Sequence, residues 1–330
     1  MKTLHAVLLT ALTVPIVAAH AQDTALFRYI TTIPLPGVEG RIDHLAIDLK
    51  GQRLFVAALG NSSLEVLDLQ AGRHIRSVSG LHEPQGVLFI PESKRIFVTN
   101  GQSGTVDMFN GVSLNLEKRV TPFDDADNIR YDTATNYLYV GYGNGALGIL
   151  DAANGQRLAD ITLAGHPESF QLERSGPRVF VNVPTAQHIA VIDREKRIVV
   201  KTWPLTGAQA NFPMALDEAQ HRLFVGFRKP AKLIVFDTES GKVVTSLDSA
   251  GDADDVFYDA VRRHIYISCG EGFIDIFEQV GAYHYKRVAK ISTAPGARTS
   301  LFVPELGRLY LAVPRQASRA AEVRVYEVQP

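Results

Sequence analysis

This chain has few residues suited to covalent or redox chemistry. It holds a single cysteine, Cys269, so no disulfide can form within it. A lone thiol is most often a small core residue. Its one tryptophan, Trp203, reads as packing between structural units rather than as a platform for a cofactor. There is no excess of either charge: 34 Lys and Arg stand against 35 Asp and Glu, a net charge of −1. A protein held to nucleic acid through phosphate contacts would show a basic excess or stripe, so no nucleic-acid partner is expected. The sequence has no His-Glu-x-x-His, no Cys-x-x-Cys and no Gly-x-Ser-x-Gly. The glycine-rich run Gly141-Tyr-Gly-Asn-Gly145 joins two strand-like segments, and no helix follows to offer its N-terminus to a phosphate.

A long apolar run is also missing. The stretch from Ala6 to Ala18 falls short of the roughly 20 residues that span a bilayer. It follows Lys2 and precedes Ala19-His20-Ala21, a small-x-small pattern. This predicts a secretory leader cut after Ala21. The mature protein is then expected to be periplasmic or secreted, without a membrane span, and to form a single domain over residues 22–330. Removing the leader makes the charge one unit more negative, because Lys2 is lost with no carboxylate.

What the chain does have is a repeat. A basic or aromatic residue followed by aliphatic, aromatic and aliphatic residues recurs as Arg53-Leu-Phe-Val56, Arg95-Ile-Phe-Val98 and Tyr137-Leu-Tyr-Val140. It returns as Arg178-Val-Phe-Val181, Arg222-Leu-Phe-Val225, His264-Ile-Tyr-Ile267 and Arg308-Leu-Tyr-Leu311. The period is about 42 residues, that of a propeller blade. A second strand follows each copy, ending at Asp68, Asn110, Asp151, Asp193, Asp237, Glu278 and Glu327. A glycine turn such as Ala71-Gly72 or Asn154-Gly155 then leads to a third strand, and another short strand precedes each copy. The pattern predicts an all-β, seven-bladed propeller with four antiparallel strands per blade. The seventh repeat stops one strand short, whereas residues 27–35 precede the first repeat and look like a fourth strand. The N-terminal strand is therefore expected to complete the last blade, removing the open edges.

These features resemble the YVTN-repeat, YncE-like propeller family. The likeness lies in the Arg-Leu-Phe-Val strands, Val66-Leu-Asp68, Val191-Ile-Asp193, the turn Thr238-Glu-Ser-Gly-Lys242, and Glu83-Pro-Gln-Gly86. It implies the propeller fold over the whole mature chain and frequent export. It implies no single activity, because the family is functionally mixed. The DNA-binding label of some members does not carry over to a chain of this charge.

Function must then be sought at a site rather than in the fold, and propellers tend to bind at the channel mouth. Five residues before the end of each innermost strand stand Asp43, Gly86, Asp127, Glu168, Phe212, Asp254 and Thr299. The next column reads His44, Val87, Asn128, Ser169, Pro213, Asp255 and Ser300. The preceding column reads Ile42, Gln85, Ala126, Pro167, Asn211, Ala253 and Arg298, and a step earlier come Arg41, Asp125, His166 and Asp252. A scaffold position needs only a turn residue, whereas unlike polar residues in different blades make an asymmetric cup. The ligand-binding candidates are Arg41, Asp43, His44, Gln85, Asp127, Asn128, His166, Glu168, Asn211, Asp254, Asp255 and Arg298, with Arg228 from a neighbouring loop.

Three functions remain open on this reading. The first is a monomeric module that binds a small ligand, a peptide or an envelope protein. The second is a lactonase-like hydrolase using a divalent cation, held by Asp43, Asp127, Glu168 and Asp254 with amide oxygens from Asn128 and Asn211; Glu168, His44 or His166 would be its base. The third is a scaffold whose acids merely cap strand starts or pair with Arg41, Arg130 and Arg298. Loop cations Arg228, Lys229, Lys232, Arg315 and Arg319 could alternatively ring the mouth for an anion.

Overall fold

The computed structural model describes residues 26–329. The expected leader lies outside the described residues. Among those described, the strands form seven four-stranded antiparallel sheets, six of them running outward in chain order from an innermost strand and the seventh completed by the first strand of the chain. The innermost strands are Leu45–Asp48, Pro84–Ile90, Ile129–Asp132, Phe170–Leu172, Gln209–Asp217, Ala253–Asp259 and Ser300–Val303. Each touches the next, and the seventh touches the first, so the blades form a closed ring. The protein is a seven-bladed propeller.

The recurring tetrapeptide explains how the blades stack. Its residues point alternately to opposite faces of their sheet. In blade 1, Leu54 and Val56 pack into the core shared with blade 7. Phe55, between them, packs into the core shared with blade 2. Phe97 repeats this toward blade 3, Tyr139 toward blade 4 and Phe180 toward blade 5. Phe224, Tyr266 and Tyr310 do so toward blades 6, 7 and 1. Both faces are buried, which is why these strands read as continuous apolar runs instead of alternating ones. Full burial of one such side chain contributes about 1.5–3 kcal/mol.

The leading arginine links the same neighbours through hydrogen bonds. Arg53 Nη1 donates to Gly111 O at 2.6 Å, Arg95 Nη1 to Ala153 O at 2.6 Å and Arg178 Nη1 to Thr238 O at 2.9 Å. Each acceptor lies in the outer turn of the following blade. Where an aspartate closes the third strand it shapes that turn: Asp68 Oδ1 accepts from the amides of Gln70 and Ala71, and Asp193 Oδ1 from those of Glu195 and Lys196. Trp203 is buried between Phe180 of blade 4 and Phe236 of blade 5. Cys269 is buried in the core of blades 5 and 6, and burial pushes its thiol well above the usual range.

The ring closes as the missing strand implied. Phe27–Leu35 pairs antiparallel with Ala321–Val328 as the outermost strand of blade 7, from Phe27 opposite Val328 to Leu35 opposite Ala321.

Candidate functional site

The starts of the innermost strands of blades 1, 3 and 4 are fixed by their backbone. Asp43 N donates to Ala57 O at 2.8 Å, and Ala57 N returns a bond to His44 O at 3.0 Å. The same pair recurs between Asp127, Asn128 and Gly141, and between Glu168, Ser169 and Asn182. These bonds hold the strand starts whatever their side chains, leaving the side chains free to differ. Blade 2 carries Gly86 here because nothing larger fits: a Cβ would stand 2.4 Å from Asp127 O. Thr99 of that blade instead donates its hydroxyl to Asp127 O.

Five blades contribute to one small cavity at the channel mouth. Its lining is Arg41, Asp43 and His44 from blade 1, Asp127 and Asn128 from blade 3, Glu168 and Ser169 from blade 4, Phe212 from blade 5 and Asp254 from blade 6. Its volume is about 20 Å³, the room of a single water-sized group.

Charge around this cavity is arranged in pairs. Asp43 is 1% exposed and accepts from Arg41 Nη2 at 2.6 Å. His44 Nδ1 stands 3.6 Å from Asp255 Oδ1 and its Nε2 3.7 Å from Asp43 Oδ1. Burial opposes protonation of His44, but Asp255, Asp43 and Asp127 outweigh it and raise its pKa to about 10. His166 Nδ1 lies 2.7 Å from Gly143 O, and its Nε2 faces Asp127 Oδ2 at 3.9 Å. Burial there is overcome by Asp127 and the Gly143 carbonyl, which raise His166 to about 9. Asp127 in turn is held low, because His166 and His44 outweigh its burial.

A second group lies between blades 5, 6 and 7. Arg298 Nη1 bonds Asp252 Oδ2 at 2.8 Å and its Nε stands 2.9 Å from Asp254 Oδ2. Arg228 pairs with Asp254 through Nη2, and its guanidinium lies 3.8 Å over the Phe212 ring. Burial and the charge of Asp43 lift Asp254 to about 6 despite both arginines.

Two lining groups stand apart. Asn128 is 4% exposed, and its Oδ1 accepts no hydrogen bond. Among the described residues, no side chain donates to or ion-pairs with the Glu168 carboxyl. Burial, then the charges of Asp127 and Asp254, raise Glu168 to about 8, so it is largely protonated at neutral pH.

Other sequence candidates lie elsewhere. Asn211 is fully buried and donates to Asn182 Oδ1 at 2.8 Å, while Asn182 Nδ2 donates to Phe212 O at 2.9 Å. It joins blades 4 and 5 rather than lining the cavity. Gln85 offers its backbone carbonyl to His44 N at 3.3 Å. Asp255 Oδ2 accepts from Ser300 N at 2.7 Å, and its other oxygen faces His44. Thr99 and Asn182 were not among the sequence candidates; Ser169, Phe212 and Asp252 stood in the aligned columns without being selected.

The residues do not fit the divalent cation considered from sequence. Among the described residues, no three His, Cys, Asp or Glu side chains come close enough to hold one. The physical reason is prior commitment: Asp43 turns to Arg41, Asp254 to Arg228 and Arg298, and Asp127 toward His166. The suggested amide ligand Asn211 points into the blade interface. Three of the five loop cations are similarly engaged, Arg228 with Asp254, Lys232 with Asp248 at 2.8 Å and Arg315 with Glu39 at 2.7 Å. No helix among the described residues is long and apolar enough to cross a membrane.

The fold and this mouth define a propeller with a blade-specific polar cup. No protein-family model matches the chain. It is similar to the uncharacterized protein YncE of Salmonella typhi, with 24% identity over 235 residues, covering 68% of this chain and 65% of that protein. The chain thus matches somewhat under two thirds of that relative's length. Among solved structures it superposes on a chain of the Kuenenia stuttgartiensis hydrazine synthase with a TM-score of 0.76 and 14% identity, covering 88% of this chain and 98% of that one. A chain of the mitotic checkpoint complex gives 0.77 and 14%, covering 100% and 99%. These likenesses support a YncE-like propeller and, at such identities, extend to the fold alone.

Proposed function

We propose that this protein is an exported, monomeric binding module that holds a polar ligand, either a small molecule or the tip of a peptide or envelope protein, at the mouth of its channel. The observation that carries this reading is Asn128. Asn128 lines a cavity assembled from five blades, and its buried Oδ1 has no hydrogen-bond partner, which costs about 1–3 kcal/mol. A scaffold would gain by removing it, so its presence favours a ligand-binding role. Metal-assisted hydrolysis draws no such support, because three of the four acids it needs are bonded to arginines or face a histidine.

The test is a ligand screen by chemical-shift perturbation on the full mature chain, repeated on Asn128→Ala. Hits that shift cup resonances and weaken in the variant support the reading. Hits mapping only to the outer strands would remove it. Export is tested separately by fractionation and intact mass, with the mature N-terminus expected at Gln22.

A further inference from the structure

The arginine that opens the second strand of a blade is engaged twice over wherever it recurs, except in blade 7. Arg53 bonds Asp48 at 2.8 Å and Gly111 O, and Arg95 bonds Glu117 at 2.9 Å and Ala153 O. Arg178 bonds Glu173 at 2.9 Å and Thr238 O, and Arg222 bonds Asp237 at 2.8 Å and Ala282 O. Each thus holds one carboxylate of its own blade and one carbonyl of the next. Among the described residues, the Arg308 guanidinium makes no hydrogen bond and no ion pair.

Two features of blade 7 explain this. Val303 stands opposite Arg308, where Asp48 stands opposite Arg53. Glu327, opposite Arg308 on the third strand, instead bonds Arg28 and, at 2.9 Å, Gln329. Burial raises the pKa of the Tyr310 phenol and the nearby Arg308 charge opposes that rise, but no hydrogen bond joins the two.

Arg308 lines a groove of about 300 Å³ at the seam between blades 7 and 1. The groove is built on the turns that lie away from the cup. Ile47, Leu49, Leu69, Leu306 and Tyr310 supply apolar walls, and Leu49 and Leu306 are exposed. Arg308 is the one charged residue in the lining, with Gln52 and Gln70 beside it. Leu69 and Gln70 begin the outer turn of blade 1, the counterpart of the turns that accept the other arginines. A groove of about 310 Å³ lies between blades 1 and 2, but there Asp48 and Gly111 O occupy Arg53.

We infer that the groove between blades 7 and 1 binds an apolar monocarboxylate, with its carboxylate on Arg308 and its hydrocarbon tail along the leucines. A planar guanidinium matches a carboxylate bidentately. One cation neutralises one negative charge, so a phosphate dianion would be left half compensated. A water can accept from Arg308, but it carries no charge and covers no leucine. Apolar walls with a few orienting polar groups are the composition of small-molecule sites. The site is separate from the cup and lies on the opposite face. Its ligand would make, between Arg308 and the blade 1 turn, the link that other seams make through a backbone carbonyl. Binding should therefore stabilise the closed ring.

The experiment is calorimetry of the full mature chain at pH 7 with hexanoate, and with 1-hexanol and hexylammonium as its neutral and cationic matches. One site is expected, with at least tenfold preference for hexanoate over either. Arg308→Met should weaken hexanoate at least tenfold. Gln70→Glu, which keeps the arginine but sets a fixed negative charge in the groove, should do the same. Saturating hexanoate should raise the thermal midpoint of wild type and leave that of Arg308→Met unmoved. Equal affinity for the alcohol, hexanoate binding indifferent to both substitutions, or no binding at all would overturn the inference and leave Arg308 merely hydrated. Circular dichroism of each variant separates loss of binding from loss of fold.

Discussion

His44 Nδ1 lies 3.6 Å from Asp255 Oδ1, although the two residues belong to blades 1 and 6, with all of blade 7 between them in the ring. Blade 7 supports the contact from the side, since Ser300 N donates to Asp255 Oδ2 at 2.7 Å. The strand starts of blades 1 and 6 are thereby bridged over that of blade 7. Replacing either partner leaves the other charge buried. His44→Gln and Asp255→Asn are each expected to destabilise. Their double-mutant cycle in urea should give a coupling of about 0.5–3 kcal/mol. Additivity within about 0.3–0.5 kcal/mol would show that the bridge carries no energy of its own.

The cup should make the protein alkali-sensitive. Glu168 has a folded pKa of about 8 against an ordinary 4.5, so the native state binds more protons than the unfolded one in that window. Its stabilising contribution is complete below about 4.5 and is lost as pH rises through 8. His44 and His166, raised from 6.5 to about 10 and 9, act in the same direction at higher pH. Stability should fall from pH 6 to pH 10. Glu168→Gln, fixed in the neutral form, is expected to match wild type at pH 5. At pH 8.5 it should melt about 2–4 °C higher, the shift that about 1 kcal/mol produces in domains of 150–250 residues. Thermal melts across this range check both statements.

Two asparagines one blade apart should respond differently to alanine. Asn182 donates to Phe212 O and accepts from Asn211, so Asn182→Ala leaves buried groups unpaired. A loss of about 1–3 kcal/mol is expected, read from the urea midpoint. The Oδ1 of Asn128 has no such partner, and Asn128→Ala should be near neutral or slightly stabilising. A loss at Asn128 as large as that at Asn182 would point to a structural role and count against the cup.

Closure by the N-terminal strand is expected to dominate cooperativity. Deleting residues 27–35 exposes the Ala321–Val328 edge along its whole length. Such an edge is a template for association. The truncated chain should unfold over a broader urea range than wild type and elute from a sizing column as aggregates. An unchanged sharp transition would mean that the other six blades hold the ring unaided.

The ring was legible in the sequence because one physical requirement recurs seven times. Each blade must send aliphatics to one neighbour and an aromatic to the other, and four consecutive residues record it. The missing fourth strand of blade 7 was legible for the same reason, since residues 27–35 had no other sheet to join. The cup was legible only as a column of unlike residues. Which of them are already engaged depends on contacts that spacing does not encode. Arg41 and Asp43 are two residues apart, but Arg298 meets Asp252 from 46 residues away and His44 meets Asp255 over the intervening blade 7. Asn211 shows the limit most clearly. A register shift between Asn211 and Met214 places the asparagine against Asn182 and leaves Phe212 lining the cavity. The period places Phe212 in the column of Asp43 and Asp127 and Asn211 in that of Ile42 and Ala126, and choosing Asn211 for its polarity goes against it.

The pairing of Phe27 with Val328 also sets which way the molecule can face. Innermost strands run away from the cup, second strands return toward it and third strands run away again. Val328 therefore ends at the far face, where Arg262 Nε holds Gln329 O at 2.9 Å, and Phe27 begins beside it. Any segment joined upstream of residue 26 or downstream of residue 329 attaches on that side. Immobilised by either end on a bead, a surface or a fusion partner, the propeller stands with its cup turned outward and open to whatever it is offered.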